Sequence, residues 1–500
     1  MQIQAWPLNC CLLSVSLVLA CGGGGGSTAS DTASGTGTNP TIDPTPATVP
    51  TTSVGSNEES ADTTAGSMSN SQGESTSTPT TAGPTTVDPS TSSTTSPVDT
   101  DAQTTTSPPP GTTTTGDDTT TSDDGTTGPV VCNPGDTQGM GMVDKSYVWI
   151  PSQDLSDVAK VNTQTLIEEA RYKTGAGGDS PSRTAVSADG RFVVVNGRQS
   201  GRSTMFAANK EDCIDSNGNG MIDTSQNSGD VRPWMTDECM RWTITWPFAG
   251  NFQDGPRGVT WTPGTFDENL CKYVNPKVWL GYQAVGGVAH FVRIDGESGT
   301  VEETLMLPGW QGQGYAPYGA ALDPEFRPWW GGLRGEYVRA DTDQNPITLT
   351  QFFPPGEVQT YGFTVDRDGD PWSAGCVGAV THFNPDTNTW TPVPGTNQGC
   401  LRGIAADENY VWAASNGPCG IYQVDRINKT LVQFHVPNPC STAIGVSIDL
   451  EKFVWLIDQE GWAWKIDPDN VPAMQQVMVP GSHYVYSDMT GGQVLSILPQ

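Results

Sequence analysis

The sequence predicts an all-β protein, specifically a seven-bladed β-propeller that is closed by a C-terminal strand and preceded by a disordered linker. The first observation is a repeat, because Gly319, Gly362, Gly403 and Gly445 lie 43, 41 and 42 residues apart in equivalent contexts. The second is that each repeat contains four short runs of strand-forming residues separated by turns, which is typical of propeller blades. The third is that no stretch shows helical periodicity over about 11 residues or more.

Each repeat has one strand before an Asp turn, a second that ends in a Trp-containing pair, a third that ends near Asp, and a fourth. Six repeats begin at Ser182, Arg257, Tyr318, Tyr361, Arg402 and Ala443. Residues 147–175 supply the outer strands of a seventh blade, and residues 484–491 match its missing inner strand. Pairing between these two segments closes the ring and removes exposed sheet edges.

The region before the repeats is predicted to export and tether the protein. Residues 12–20 form a short apolar run, and residues 18–21 resemble the lipobox of bacterial lipoproteins, in which Cys21 is diacylated. We therefore assign 1–21 as a lipoprotein signal peptide, with an ordinary cleaved secretory signal as the alternative. Residues 22–131 are rich in Thr, Ser, Pro and Gly and are predicted to be a disordered linker. The propeller is assigned to 132–500.

The excess of acidic over basic residues excludes one class of binding partner. The chain has 55 acidic and 24 basic residues, with a formal net charge of −31, and no Lys or Arg precedes Lys145. Nucleic-acid binding depends on neutralisation of phosphates by Lys and Arg, so this class of partner is excluded. The expected location is the bacterial cell envelope, with membrane contact only through the lipid anchor.

The repeats over about residues 145–490 resemble the virginiamycin B lyase (streptogramin lyase) family, and also propellers of the NHL and YVTN types. The segments 402–415 and 443–458, RGIAADENYVWAAS and AIGVSIDLEKFVWLID, carry this resemblance. It implies a C–O lyase that uses His residues at the heads of inner strands and is assisted by Mg²⁺. None of those positions is His in this chain, so a lyase acting at the central mouth is kept as the alternative to a binding module.

Arginine and tyrosine stand at these strand heads instead. Guanidinium groups bind carboxylate or phosphate, and tyrosine offers a flat ring and a hydroxyl. The expected ligand is an anionic glycan, a peptide or another acidic molecule, and the other interpretation is that the arginines pair with blade aspartates and plug the channel. A glycine-rich loop is predicted to place Trp310 and Tyr315 over the same mouth, and an exposed aromatic patch around Trp310 would indicate an extracellular protein partner. The candidate ligand-binding residues are Arg183, Arg257, Tyr318, Tyr361, Arg402, Tyr486, Trp310 and His483.

A calcium site is predicted within an insertion at 209–239. Residues 215–223 match the first nine positions of an EF-hand loop, with Gly220 at the turn position. Gln226 replaces the usual bidentate Glu, and Asp237 or Glu238 is expected to supply the missing carboxylate. The predicted structural Ca²⁺ ligands are Asp215, Asn217, Asn219, Met221 through its carbonyl, and Asp223.

Eight of the 11 cysteines lie beyond the signal region, which indicates disulfides in an exported domain. Two pairs recur at equivalent places in successive repeats, and a third would close the calcium insertion. Cys132 and Cys271 are left as a fourth pair by subtraction. The three principal predicted pairs are Cys213–Cys239, Cys376–Cys400 and Cys419–Cys440.

Overall fold

The computed structural model describes residues 146–270, 272–312, 314–356 and 358–497. All of these residues belong to one compact unit. The predictions for the signal peptide, Cys21, the linker and the Cys132–Cys271 pair lie outside the described residues. Within the described part of the chain, no helix is long and apolar enough to cross a membrane.

The described residues form an all-β propeller of seven blades, as predicted. Blade 1 contains β1 (Tyr147–Ser152), β2 (Asp157–Asn162) and β3 (Glu168–Lys173). Blade 2 contains β4 (Pro181–Val186), β5 (Phe192–Gly197), β6 (Arg202–Ala207) and β7 (Met240–Thr245). Blade 3 contains β8 (Val259–Thr262), a hairpin of β9 (Thr265–Asp267) and β10 (Lys272–Val274), then β11 (Lys277–Ala284), β12 (Val288–Asp295) and β13 (Val301–Leu307).

The remaining four blades are four-stranded antiparallel meanders. Blade 4 contains β14 (Gly319–Leu322), β15 (Pro328–Gly331), β16 (Tyr337–Asp341) and β17 (Thr348–Phe352). Blade 5 contains β18 (Gly362–Val365), β19 (Pro371–Ala374), β20 (Thr381–Asn384) and β21 (Thr389–Pro392). Blade 6 contains β22 (Leu401–Ala406), β23 (Tyr410–Asn416), β24 (Cys419–Asp425) and β25 (Thr430–His435). Blade 7 contains β26 (Ala443–Ile448), β27 (Val454–Asp458), β28 (Trp462–Ile466) and β29 (Gln475–Met478).

The recurring Asp and Trp of blades 4 to 7 are hydrogen-bonded to each other. The indole Nε1 of Trp372 donates to Asp366 Oδ2 at 2.9 Å, and the same Asp accepts turn amides through Oδ1. Equivalent indole bonds of 2.7–2.9 Å join Trp329 to Asp323, Trp412 to Asp407 and Trp455 to Asp449. One carboxylate therefore caps the turn between the first two strands and satisfies a buried indole, which explains why the two residues recur together.

The framing glycines lie where neighbouring inner strands approach too closely for a side chain. A Cβ on Gly362 would lie 2.2 Å from the Arg402 carbonyl, and one on Gly403 would lie 2.6 Å from the Ile444 carbonyl. A Cβ on Gly445 would contact Val485 at 2.7 Å, although Val485 belongs to the C-terminal segment. The glycine period in the sequence therefore reflects convergence of the blades on the central axis.

The C-terminal segment closes the ring beside β1. The Gln153 amide donates to the Ser482 carbonyl at 2.9 Å, and the Trp149 amide donates to the Met489 carbonyl at 2.8 Å. Within residues 479–491, all of them described, the ladder-type bridge to β1 is that of His483 with Ser152, so the inner element of blade 1 is less regular than the predicted strand. A short helix follows, α1 (Gly492–Ile497), and its Val494 packs against inner-strand ends at the end of the channel opposite the mouth.

The insertion of blade 2 lies between β6 and β7, and it begins with a 3₁₀ turn at Lys210–Asp212. A second 3₁₀ turn, Val471–Ala473, precedes β29 in blade 7. The Cys213–Cys239, Cys376–Cys400 and Cys419–Cys440 disulfides are present, which confirms the three principal pairings. The first of them joins the two ends of the insertion.

Candidate functional site

Arginine and tyrosine side chains from the heads of the inner strands meet at one end of the channel. This group, here called the mouth cluster, is formed by Arg183, Arg257, Arg402, Tyr318, Tyr361, Tyr484 and Tyr486. Blades 2 to 6 each supply the residue at the head of the inner strand, and the C-terminal segment supplies the last two tyrosines. The side chains come together because inner strands start at the same end of a propeller.

The tyrosine rings pack against one another and fill the mouth. Tyr318 lies edge-on to Tyr361 with centroids 5.7 Å apart, and Tyr361 lies 5.8 Å from Tyr486. These three residues are 0%, 3% and 1% exposed. The mouth is therefore closed by aromatic rings, a state that differs both from an open water-filled channel and from an aspartate-paired plug.

The guanidinium groups lie on the faces of these rings. The Cζ of Arg183 lies 4.7 Å from the Tyr318 ring centroid and 4.4 Å from that of Tyr486. Arg257 lies 4.7 Å from the Tyr318 centroid, and Arg402 lies 4.3 Å from that of Tyr361. These cation–π contacts are worth about 0.5–2 kcal/mol each and supply no counter-charge.

The hydrogen-bond acceptors of these arginines are neutral. Arg183 donates to the carbonyls of Tyr318 and Ser182 at 3.2 and 3.0 Å. Arg257 donates to the Phe252 carbonyl at 3.0 Å, and Arg402 donates to the Tyr486 hydroxyl at 3.3 Å. Buried cations in proteins are normally paired with carboxylates, so an entirely neutral set of acceptors is unusual.

Several guanidinium nitrogens have no acceptor among the described residues. They are Arg183 Nη2, Arg257 Nε and Nη1, and Arg402 Nε, all buried. Among the described residues, no carboxylate oxygen lies within 4.0 Å of the three guanidinium groups. Asp254, the carboxylate that interacts electrostatically with Arg257, is hydrogen-bonded to Asn251 instead. The expected pairing with blade aspartates is therefore wrong.

Burial and mutual repulsion act on the same groups. Burial lowers the pKa of Arg183, and the nearby charge of Arg257 lowers it further. Burial also raises the pKa of Tyr486, so this phenol stays neutral and does not serve as a base near neutral pH. The cluster therefore presents hydrogen-bond donors and positive charge, which is the chemistry of anion recognition.

Two side chains at the mouth were missed by the sequence reasoning, Arg198 and Tyr484. The Cζ of Arg198 lies 4.2 Å from the Tyr484 ring centroid, and the Tyr484 hydroxyl lies 3.0 Å from that of Tyr318. Arg198 belongs to the loop between β5 and β6, and no strand-head position could have identified it. Tyr484 lies two residues before Tyr486, so in an extended segment both side chains face the same side, and the sequence could have identified it. Tyr315, which was expected over the mouth, lies 5.9 Å from Tyr318, edge to face.

Two predicted site residues have other roles. Trp310 is 8% exposed and packs edge-on against Phe291 in the hydrophobic cluster between blades 3 and 4, and its indole donates to the Tyr315 carbonyl at 2.7 Å. The expected exposed aromatic patch around Trp310 is therefore absent from the described surface. His483 is fully buried, with Nδ1 3.0 Å from the Pro151 carbonyl and Nε2 3.0 Å from the Val479 carbonyl. It joins β1 to the C-terminal segment, outside the mouth cluster.

The insertion loop brings the predicted metal ligands together. The side-chain amides of Asn217 and Asn219 each donate to Asp223 Oδ2 at 2.9 Å. The Asp215 carboxylate accepts three loop amides, including that of Gly218 at 2.7 Å. The predicted ligands therefore lie in one loop, where their oxygens accept loop hydrogen bonds and Asp223 Oδ1 also pairs with Arg232 at 3.0 Å.

The Cys213–Cys239 disulfide holds Glu238 beside the loop. Its Oε1 accepts the Ser216 and Asn217 amides, and its Oε2 accepts the Asp223 amide at 2.7 Å. These backbone hydrogen bonds, the one from Asp223 foremost, lower the pKa of Glu238. Asp237, the other predicted carboxylate, is bonded instead to Thr224 and Ser225.

Comparison with known proteins finds distant structural similarity. No protein-family model matches the chain, and no curated protein matches it. A catalytically inactive variant of virginiamycin B lyase from Staphylococcus aureus, solved with quinupristin, is 14% identical, with a TM-score of 0.42 over 60% of this chain and 87% of that one. Apo AztD from Citrobacter koseri is 8% identical, with a TM-score of 0.43 over 69% and 97%. Kuenenia stuttgartiensis hydrazine synthase is 10% identical, with a TM-score of 0.44 over 66% and 92%.

Proposed function

We propose that this protein is an exported, lipid-anchored binding module that holds an acidic ligand at the mouth cluster. The observation that carries this proposal is the set of buried guanidinium nitrogens of Arg183, Arg257 and Arg402 that find no acceptor within the described part of the chain. A propeller fold suits a binding or scaffold role, but the fold alone selects no ligand.

The energetic argument starts from the cost of burying charge. Moving one guanidinium out of water costs several kcal/mol after relaxation, and only a partner of opposite charge recovers much of that cost. Arg183 and Arg257 are 0% exposed and neighbour each other, so the cost increases through repulsion. An acidic group placed among them would receive charge-assisted hydrogen bonds and remove the repulsion.

Export and anchoring are part of the proposal. The lipobox-like residues 18–21 support diacylation of Cys21, and the acidic linker 22–131 supports a tether between lipid and propeller. Three disulfides suit an oxidising compartment such as the cell envelope. On this proposal the only membrane contact is the lipid itself.

A structural Ca²⁺ completes the proposal. Asp215, Asn217, Asn219 and Asp223, with the Met221 carbonyl, would hold the ion, and Glu238 would order the loop around it through its amide bonds. When bound, the cation would attract the carboxylates of Asp215 and Asp223 and compete with Arg232 for Asp223. This role is structural and lies in the blade 2 insertion.

The experiment uses the full-length chain with Cys21→Ser, which prevents lipid attachment. Calorimetric titration with acidic glycans, acidic peptides and simple anions is expected to give saturable binding. Arg257→Met and Arg402→Met should abolish that binding, because each removes guanidinium donors from the cluster. Arg293→Met is the matched control, since Arg293 is half-buried in blade 3 and already pairs with Glu302 and Glu303. Equal binding by all four proteins would refute the mouth site.

A further inference from the structure

We infer that the ligand of the mouth cluster carries a tetrahedral oxyanion, a phosphoryl or sulfate group, in preference to a single carboxylate. This inference rests on the proposed function, since it names the chemical class that the same site selects. It follows from the number of cations, their arrangement and the distribution of their free N–H groups.

The three guanidinium groups are arranged around shared rings. Arg183 and Arg257 each lie 4.7 Å from the centroid of Tyr318. Arg183 also lies 4.4 Å from the Tyr486 centroid, and Arg402 donates to the hydroxyl of that same tyrosine at 3.3 Å. Arg183 therefore occupies the middle of the group, and one bound group beside it has a cation on either side.

The positive charge of the three arginines favours a ligand that carries more than one negative charge. A monocarboxylate beside the buried Arg183 and Arg257 and the half-buried Arg402 leaves two positive charges uncompensated, whereas a dianion leaves one. The described residues place no carboxylate oxygen within 4.0 Å of the three guanidinium groups, so on this proposal the ligand supplies the negative charge that binds them. Because an uncompensated buried charge costs several kcal/mol, this difference decides between the two ligand classes.

The directions of the free N–H groups also favour a tetrahedral oxyanion. Nitrogens without acceptors occur on all three arginines, two of them on Arg257. A carboxylate offers two oxygens in one plane and suits one bidentate guanidinium. A tetrahedral oxyanion offers three or more oxygens in several directions, which suits donors that come from three inner strands around an axis.

Access is provided at the outer edge of the cluster. Tyr484 and Arg402 are half-buried, whereas Tyr318 and Tyr486 beneath them are buried. The ring of Tyr484 lies 4.7 Å from that of Tyr486 and is covered by the half-buried Arg198. A small anion can therefore meet Arg198 and Arg402 first, and it reaches Arg183 when the tyrosine rings that close the mouth move aside.

The test compares anions at constant ionic strength on the full-length Cys21→Ser protein by calorimetric titration. The probes are acetate, succinate, sulfate and O-phosphoserine. Sulfate and phosphoserine are expected to bind at least about tenfold more tightly than acetate. Raising the pH from 5 to 8 should strengthen phosphoserine binding, because its second ionisation lies near pH 6, and should leave sulfate binding unchanged. The tighter of these two probes distinguishes phosphorylated from sulfated ligands.

The outcomes separate the two proposals. Acetate binding within about threefold of sulfate would overturn the oxyanion inference and leave the acidic-ligand proposal intact. Succinate binding as tightly as sulfate would show that charge alone selects the ligand, which also overturns the inference. Absence of binding by every anion would refute the proposed function itself. Arg183→Met should lose sulfate binding, and Arg402→Met provides a second, less buried variant if the first does not fold. Arg293→Met again serves as the control for general effects of sulfate on the protein.

Discussion

Replacing Asp449 with alanine tests the physical explanation of the repeat. Asp449 is 2% exposed and lies in the turn between β26 and β27. Its Oδ2 accepts the indole of Trp455 at 2.9 Å, and its Oδ1 accepts the amides of Glu451 and Phe453, both at 2.9 Å. Asp449→Ala removes both acceptor oxygens and therefore all three hydrogen bonds at once.

The decrease in the free energy of unfolding depends on how deeply each unpaired N–H donor is buried. Trp455 is 0% exposed, so its indole would stay buried without an acceptor, at a cost of about 1–3 kcal/mol. The two turn amides are nearer to solvent, and loss of their bonds costs about 1 kcal/mol each. The expected decrease in the free energy of unfolding is about 3–5 kcal/mol. For a domain of about 350 residues this lowers the melting temperature by about 4–7 °C.

Chemical and thermal unfolding of the full-length chain would measure this decrease. Asp467→Ala is the matched control, because Asp467 lies in a turn of the same blade and accepts the Asp469 amide but no indole. The control is expected to cost about 1 kcal/mol. Equal losses in the two variants would refute the claim that the buried indole makes the recurring Asp necessary.

Three further predictions concern other parts of the fold. The double variant Cys213→Ser/Cys239→Ser opens a loop between residues 26 positions apart, and its free energy of unfolding should decrease by about 3.5 kcal/mol. Its insertion should become sensitive to protease, and added Ca²⁺ should no longer protect it. Burial lowers the pKa of His483, so its stabilising contribution is present above its unfolded pKa of about 6.5 and is lost as the pH falls. His483→Gln should therefore flatten the decrease in stability between about pH 6.5 and 5 in urea titrations. Gly403→Ala should destabilise the protein by more than about 2 kcal/mol in the same titrations, because its Cβ would lie 2.6 Å from the Ile444 carbonyl.

The blades were predictable because their signals are local. Asp366 and Trp372 are six residues apart, and the hydrogen bond between them forms within one hairpin. Repetition of such short patterns predicts four strands in each unit, the number of units, and the closing segment near 484–491. Pairing of Cys376 with Cys400 was predictable for the same reason, since the two residues recur beside equivalent strands. The six-residue helix α1 was not predicted, because it is too short to show a helical period.

The sequence by itself determined which side chains stand at the strand heads, and therefore that Arg183, Arg257 and Arg402 converge with tyrosines. It did not determine what those arginines contact. Closure of the ring placed Tyr486 and Tyr484 among them and left the blade aspartates at the turns, bonded to indoles. Placement of a residue within a blade depends on neighbours close in sequence. The contacts of the three arginines with tyrosine rings depend on residues from different inner strands, which meet only when the seven blades close around one axis.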